Sequence, residues 1–254
     1  MIFIKSLHSE WLKTKRSMSF WLSIIGGFFI PIIYLIAFIY KGTSINHYDL
    51  SINIWIEHFR KSWQNMASFL LPMGVILASS LITQIEYKNN TWKQLHTTPQ
   101  TYSTIYFAKL LVILLLTIQF FLFFNIGIII SGVLPCLIFD SNFSIQHIPI
   151  MYFIKENMKY FIACLPIIAF QYLISLKFKN FLIPIGIGLI GLIGTLIAIS
   201  WKHIYFSPFS YGVLTMMTGR KIPINISLQL LALFYFLIII IENYYIYIFK
   251  KEKG

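Results

Sequence analysis

Few residue types can attack a substrate, ligate a metal or pass protons, and this sequence uses them sparingly. It has 8 Asp and Glu, 6 His and 2 Cys in 254 residues. The histidines (His8, His47, His58, His96, His147 and His203) are scattered and form no H-E-x-x-H, so no two imidazoles share a helix face beside a carboxylate base. The acids are dispersed too, which leaves no paired carboxylates for general acid–base work. Cys136 and Cys164 stand in no CxxC or metal spacing and read as incidental thiols. No G-x-S-x-G presents a serine nucleophile. No G-x-x-x-x-G-K-[ST] loop cradles nucleotide phosphates. Gly186, Gly188, Gly191 and Gly194 fall inside an apolar run, where they favour close helix packing over phosphate binding. No catalytic residue, metal or cofactor is expected. Glu242 is the one acid in a late apolar stretch. It is either an interfacial or structural carboxylate or an intramembrane ion-coupling group.

The elements around these residues are those of a membrane protein. Hydrophobic residues make up 58% and charged residues 11%, under half the ~25% of a soluble domain. Six apolar stretches are long enough to cross a bilayer, which takes ~20 residues: Phe20–Tyr40, Met66–Ile85, Tyr106–Ile130, Tyr160–Leu176, Phe181–Ser200 and Gln229–Phe249. The third run continues through Phe139, so its helix either projects beyond the membrane or breaks near Gly132 and Pro135. Lys177–Asn180 reads as a tight turn between the fourth and fifth spans. Pro31, Pro72, Pro166 and Pro184 lie within spans and serve as bends in packed helices or as hinges. The expected fold is all-α: one polytopic domain over residues 1–254.

The formal net charge is +12, from 20 Lys and Arg against 8 acids. The basic residues flank apolar segments, where anionic lipid headgroups attract them, so membrane lipid is the expected partner and nucleic acid is not. Twelve fall on one side of the six spans (Lys5, Lys13, Lys15, Arg16, Lys88, Lys93, Lys109, Lys177, Lys179, Lys250, Lys251 and Lys253) and eight on the other. This bias places both termini in the cytoplasm and Ser44–Asn65 outside. The first apolar stretch follows a basic segment without a small-residue cleavage site and is expected to be a retained span.

Two cytoplasmic segments carry more information than a connection needs. In Met1–Ser19, the residues Phe3, Ile4, Leu7, Trp11 and Met18 form one helical stripe, and Lys5, Lys13 and Arg16 lie opposite. This pattern suits a basic amphipathic helix in the membrane interface, although a plain topogenic flank would also be basic. In Glu86–Pro99, Asn89 and Asn90 suit a turn, Thr91 and Gln94 have capping-box spacing, and Pro99 stops a helix. A short helix over Thr91–Thr98 is expected, carrying Trp92, Lys93 and Leu95, with a new helix starting near Thr101–Thr104. Its place is against either a soluble partner or lipid. A third segment, Trp201–Leu228, is too apolar for a free loop and too short to span. It reads as a re-entrant or interfacial hairpin, or as a loop buried against its neighbours.

The order of these features is a Ser-Glu-Trp-Leu-Lys-x-Lys-Arg helix, two spans, then Glu86-Tyr-Lys-Asn-Asn-Thr-Trp-Lys. It resembles the permease subunits of ABC-2 type exporters, closest to the group that protects against lantibiotics and bacteriocins. The resemblance implies six helices forming half of a transmembrane pathway, paired with a second copy or a related permease. It also implies a coupling helix that docks on an ABC ATP-binding subunit, with Glu86, Asn90, Thr91, Trp92, Lys93, Gln94 and Leu95 mapping onto that region. The implied function is ATP-dependent export or expulsion of antimicrobial peptides or other amphipathic cargo at the cell membrane. A non-transporting scaffold or sensor is the alternative. An intramembrane enzyme would need polar residues gathered at one depth.

Overall fold

The computed structural model describes residues 2–41, 53–88, 101–139, 148–217 and 227–249. The described residues are helical, with no strand among them. The helices are α1 (Ile2–Thr14), α2 (Met18–Lys41), α3 (Ile54–Asn65), α4 (Leu71–Lys88), α5 (Tyr102–Phe139), α6 (Ile150–Lys177), α7 (Leu182–Ile197), α8 (Tyr211–Met216) and α9 (Leu228–Phe249). Six stretches are long and apolar enough to cross a membrane: Met18–Tyr40, Ile54–Ile85, Tyr102–Pro135, Ile150–Lys177, Leu182–Ser200 and Leu228–Ile248.

The number and order of spans match expectation, but three boundaries move. The second span begins in α3, which occupies part of the segment read as a loop. Asn53 caps it, its side chain accepting from the Trp55 amide at 2.9 Å. A π turn, Met66–Leu70, joins α3 to α4. Pro72 supplies a reason for the wider turn: a proline ring in a regular helix collides with the carbonyl four residues back, here Ser68. The third span runs unbroken through Gly132 and Pro135. The fourth starts ten residues before Tyr160, with Lys159 and Glu156 paired at 2.6 Å in its early turns. The turn after Lys177 is as expected, with Asn180 accepting from the Leu182 amide at 3.0 Å.

Helices α2 and α5 run parallel in close contact. Gln119 donates to the Ser23 hydroxyl at 3.0 Å. A Cβ at Gly27 would stand 3.0 Å from the Phe120 carbonyl oxygen, and one at Gly127 would stand 2.8 Å from the Pro31 ring. Glycine is what allows the two backbones to approach this far. Of the four glycines in α7, Gly188 meets Gln171 and Ile76, Gly191 meets Phe209, and Gly186 and Gly194 face open space.

The core sits around α3, where Trp55, Phe59 and Trp63 recur every four residues on one buried face. Phe59 stacks on Phe153, and Trp63 packs on Tyr160, Phe121 and Phe124. Polar side chains in this interior pair with one another. His58 Nε2 lies 2.9 Å from Ser131 Oγ, and Asn157 donates to Asn125 at 2.8 Å. Nearer the other end, Gln171 donates to Ser80 at 3.0 Å and to the Pro184 carbonyl at 2.8 Å. Of Trp201–Leu228, the part through Met217 forms short helical turns and α8, with Tyr211 buried and donating to the Tyr205 carbonyl at 2.9 Å. It is folded against its neighbours.

Candidate functional site

The α4–α5 connection holds the site residues expected from the sequence. Of its residues, Glu86 stands in the last turn of α4, while Asn90, Thr91, Trp92, Lys93, Gln94 and Leu95 lie outside the described residues. What the structure gives is the anchorage of both its ends.

On the leaving side, Gln84 donates to the Phe178 carbonyl at 3.3 Å, which ties the end of α4 to the α6–α7 turn. On the returning side, Thr101 caps α5, accepting from the Thr104 amide at 3.3 Å. The helix start expected near Thr101–Thr104 is therefore present. The first turns of α5 are then held from two directions. The Ser103 and Tyr244 hydroxyls lie 2.6 Å apart. Tyr106 donates to the Ile240 carbonyl at 3.3 Å, and Tyr172 donates to the Tyr106 carbonyl at 3.0 Å.

Helix α1 completes this end of the bundle in a way its pattern did not foretell. It ends at Thr14, and Ser17 donates from its amide to the Thr14 carbonyl at 2.8 Å in the turn that follows. Met18 therefore belongs to α2 and not to the stripe. Leu7 and Trp11 lean on the core, whereas Phe3 and Ile4 stay exposed. The face turned fully inward is polar: Ser6, Glu10 and Thr14, at four-residue spacing.

Glu10 explains that face. Its Oε2 is 3.0 Å from Lys109 Nζ, and its Oε1 pairs with Lys13. Lys109 lies two turns into α5, and its side chain is only 2% exposed. Burial alone would push the Glu10 carboxyl up, but the charges of Lys109 and Lys13 outweigh it and hold the carboxyl below its ordinary value. Lys109 is accordingly not the solvated flank charge that the topology reasoning assumed. A signal was present in the sequence: Glu10 is the one acid of α1, and Lys109 falls inside an apolar run. Nothing local, however, says that they meet.

Among the described residues no cluster of His, Cys, Asp or Glu is placed to hold a metal ion. Cys164 is buried. Glu242 is exposed on α9, which continues past it to Phe249, and its neighbour Asn243 is buried.

No curated protein and no solved structure matches the chain. A family model does match, over residues 6–195, and its description is ABC-2 family transporter protein. The matched stretch takes in α1 from Ser6, the α4–α5 connection, four of the six spans and most of the fifth. With its helix order, its six apolar spans and that match, the chain belongs to the ABC-2 family of transporter proteins, as a multi-pass membrane protein.

Proposed function

We propose that the chain is the permease subunit of an ATP-driven exporter whose energy enters through the α4–α5 connection. The observation that carries this reading is the anchorage of that connection. Its two ends are tied to four other parts of the bundle, α1, α6, α9 and the α6–α7 turn. A partner that pushes on Thr91–Thr98 would therefore move several helices at once. A switch of this kind needs two packings whose balance the partner's ATP cycle shifts. The cognate partner is a separate ABC ATPase subunit, since the chain has no phosphate-binding loop of its own. A second permease, identical or related, completes the pathway.

The cargo we favour is an amphipathic antimicrobial peptide expelled from the membrane, with both termini of the chain in the cytoplasm. The resemblance to bacteriocin-protection permeases over roughly the first 110 residues supports this choice. The test is reconstitution in vesicles with and without the cognate ATPase, following a labelled lantibiotic. ATP-dependent movement that needs both chains is the expected result. Movement by the chain alone against a gradient, or ATP-independent movement abolished by Glu242→Gln, would overturn it.

A further inference from the structure

Where α2, α4 and α5 converge they leave a cavity of about 460 Å³. Its walls run along α2 from Met18 to Phe29 and along the π turn and α4 from Met66 to Ala78, and α5 closes the back. At ~1.5 Å per residue each wall is about 16–18 Å long, close to half of a ~30 Å hydrocarbon core. The groove is therefore about one leaflet deep.

Its chemistry selects against a peptide. The hydroxyls in its lining belong to Ser23 and Thr117, and both are satisfied inside their own helices, by the Phe20 carbonyl at 2.7 Å and the Ile113 carbonyl at 2.9 Å. An extended peptide would leave its amides and carbonyls unpaired in an apolar slot, which opposes its binding there. A hydrocarbon chain has no such groups. Gly74 lines the slot, and a Cβ added there would meet nothing within 4 Å, so space is open beside its backbone. Its rim, formed by Trp21, Ile25 and Phe29, is exposed and continues the apolar outer face of α2.

One end of the groove is charged. Met18 lines it, and Lys15 and Arg16, both exposed, come just before Met18 in the chain. The one acid in this part of the chain, Glu10, is buried and bound to Lys109. The end of the groove is therefore basic, and its length is apolar.

We propose that this groove is a binding site for one acyl chain of an anionic membrane phospholipid, with Lys15 and Arg16 taking the phosphate. The bound chain packs α2 against α4 over one leaflet, and the two basic residues make the site selective for negative headgroups.

The test uses the full chain in phosphatidylcholine vesicles carrying phosphatidylglycerol with a diazirine on one acyl chain. After photolysis, adducts are mapped by mass spectrometry. Adducts are expected on α2 and α4 at groove positions, saturable, and displaced by unlabelled phosphatidylglycerol at several-fold lower amounts than by phosphatidylcholine. Gly74→Leu should cut groove adducts about tenfold. Gly186→Leu, at an equally open glycine outside the groove, should leave them unchanged. Lys15→Gln with Arg16→Gln should keep the adducts and lose the headgroup preference. The competition on the unaltered chain decides the matter even if a variant folds poorly. Unsaturable labelling spread over all lipid-facing helices would overturn the proposal. So would equal competition by the two lipids, or disulfide cross-linking between two chains carrying Ile25→Cys in a background with Cys136 and Cys164 replaced, together with loss of the lipid adducts, which would mean that a second copy covers the groove.

Discussion

The indole of Trp63 lies flat on the ring of Tyr160, with centroids 4.0 Å apart and planes within 3° of parallel. The pair clamps α3 to α6 in the middle of the core, and Trp63 is 0% exposed. Trp63→Ala should destabilise the fold by about 3–5 kcal/mol, the range for removing a large buried aromatic. Thermal unfolding in detergent would read this as a lower midpoint, with Trp201→Ala, at an exposed site, as the near-neutral control.

Glu10 and Lys109 give a prediction with a definite sign. Glu10→Gln removes the carboxylate that faces the buried Lys109 ammonium and should cost about 3–5 kcal/mol; Lys109→Met should cost less, because Lys13 still pairs with Glu10. Replacing both by Met should recover much of that loss. The folded carboxyl titrates below its ordinary value of 4.5. Its contribution is therefore complete above that value and is lost as pH falls through the lower, folded one. An acid titration of stability should show the wild type losing this increment, and the double Met variant should lack that step.

Coupling is tested at Trp92. Trp92→Ala should weaken co-purification of the ATPase or uncouple ATP hydrolysis from transport, with membrane levels unchanged. An intact complex with normal coupling would count against the proposed function as a whole.

The topology predicts that single cysteines at position 4 or 253 resist an impermeant thiol reagent in intact cells, in a background with Cys136 and Cys164 replaced. A cysteine placed within Ser44–Asn65 should react. Labelling at either terminal position would reverse the assignment.

The glycines of α7 separate packing from propensity. At Gly188 an added Cβ would stand 2.7 Å from both the Gln171 amide oxygen and Ile76. Gly188→Ala should therefore destabilise by about 1–3 kcal/mol. Gly194→Ala, into open space, should be neutral or stabilising by about 0.5–1 kcal/mol, because alanine favours the helix. Unfolding midpoints of the two variants would show opposite signs.

Features written in local sequence were the legible ones. The six apolar runs, the turn at Lys177–Asn180 and the helix start beside Thr101 all follow from composition or capping over a few residues. Helix α3 was hidden because Glu57, His58, Arg60, Lys61 and Gln64 made its segment look like an aqueous loop. The period of Trp55, Phe59 and Trp63 was nevertheless there to be read. The inward face of α1 was missed for a different reason. Hydrophobicity ranks the faces of a helix correctly when what covers them is apolar, and here the cover includes the ammonium of Lys109, 99 positions away in the chain. The groove, likewise, exists only once three helices are in place.

The π turn at Met66–Leu70 makes the second span a rod with two phases. A wider turn holds one residue more than the α-helical path needs, so the faces of α3 and α4 are set off from each other by about 100°. Before the turn, the rod shows its aromatic face to α5 and α6. After it, Val75, Ile76, Ser79, Ser80 and Thr83 are the residues turned inward. Deleting a single residue within the turn would leave composition and hydropathy almost untouched. It would also swing the whole far half, Gln84 and the start of the α4–α5 connection included, to a new compass bearing. In this chain the direction in which that connection leaves the bundle is stored as a count of residues some twenty positions upstream.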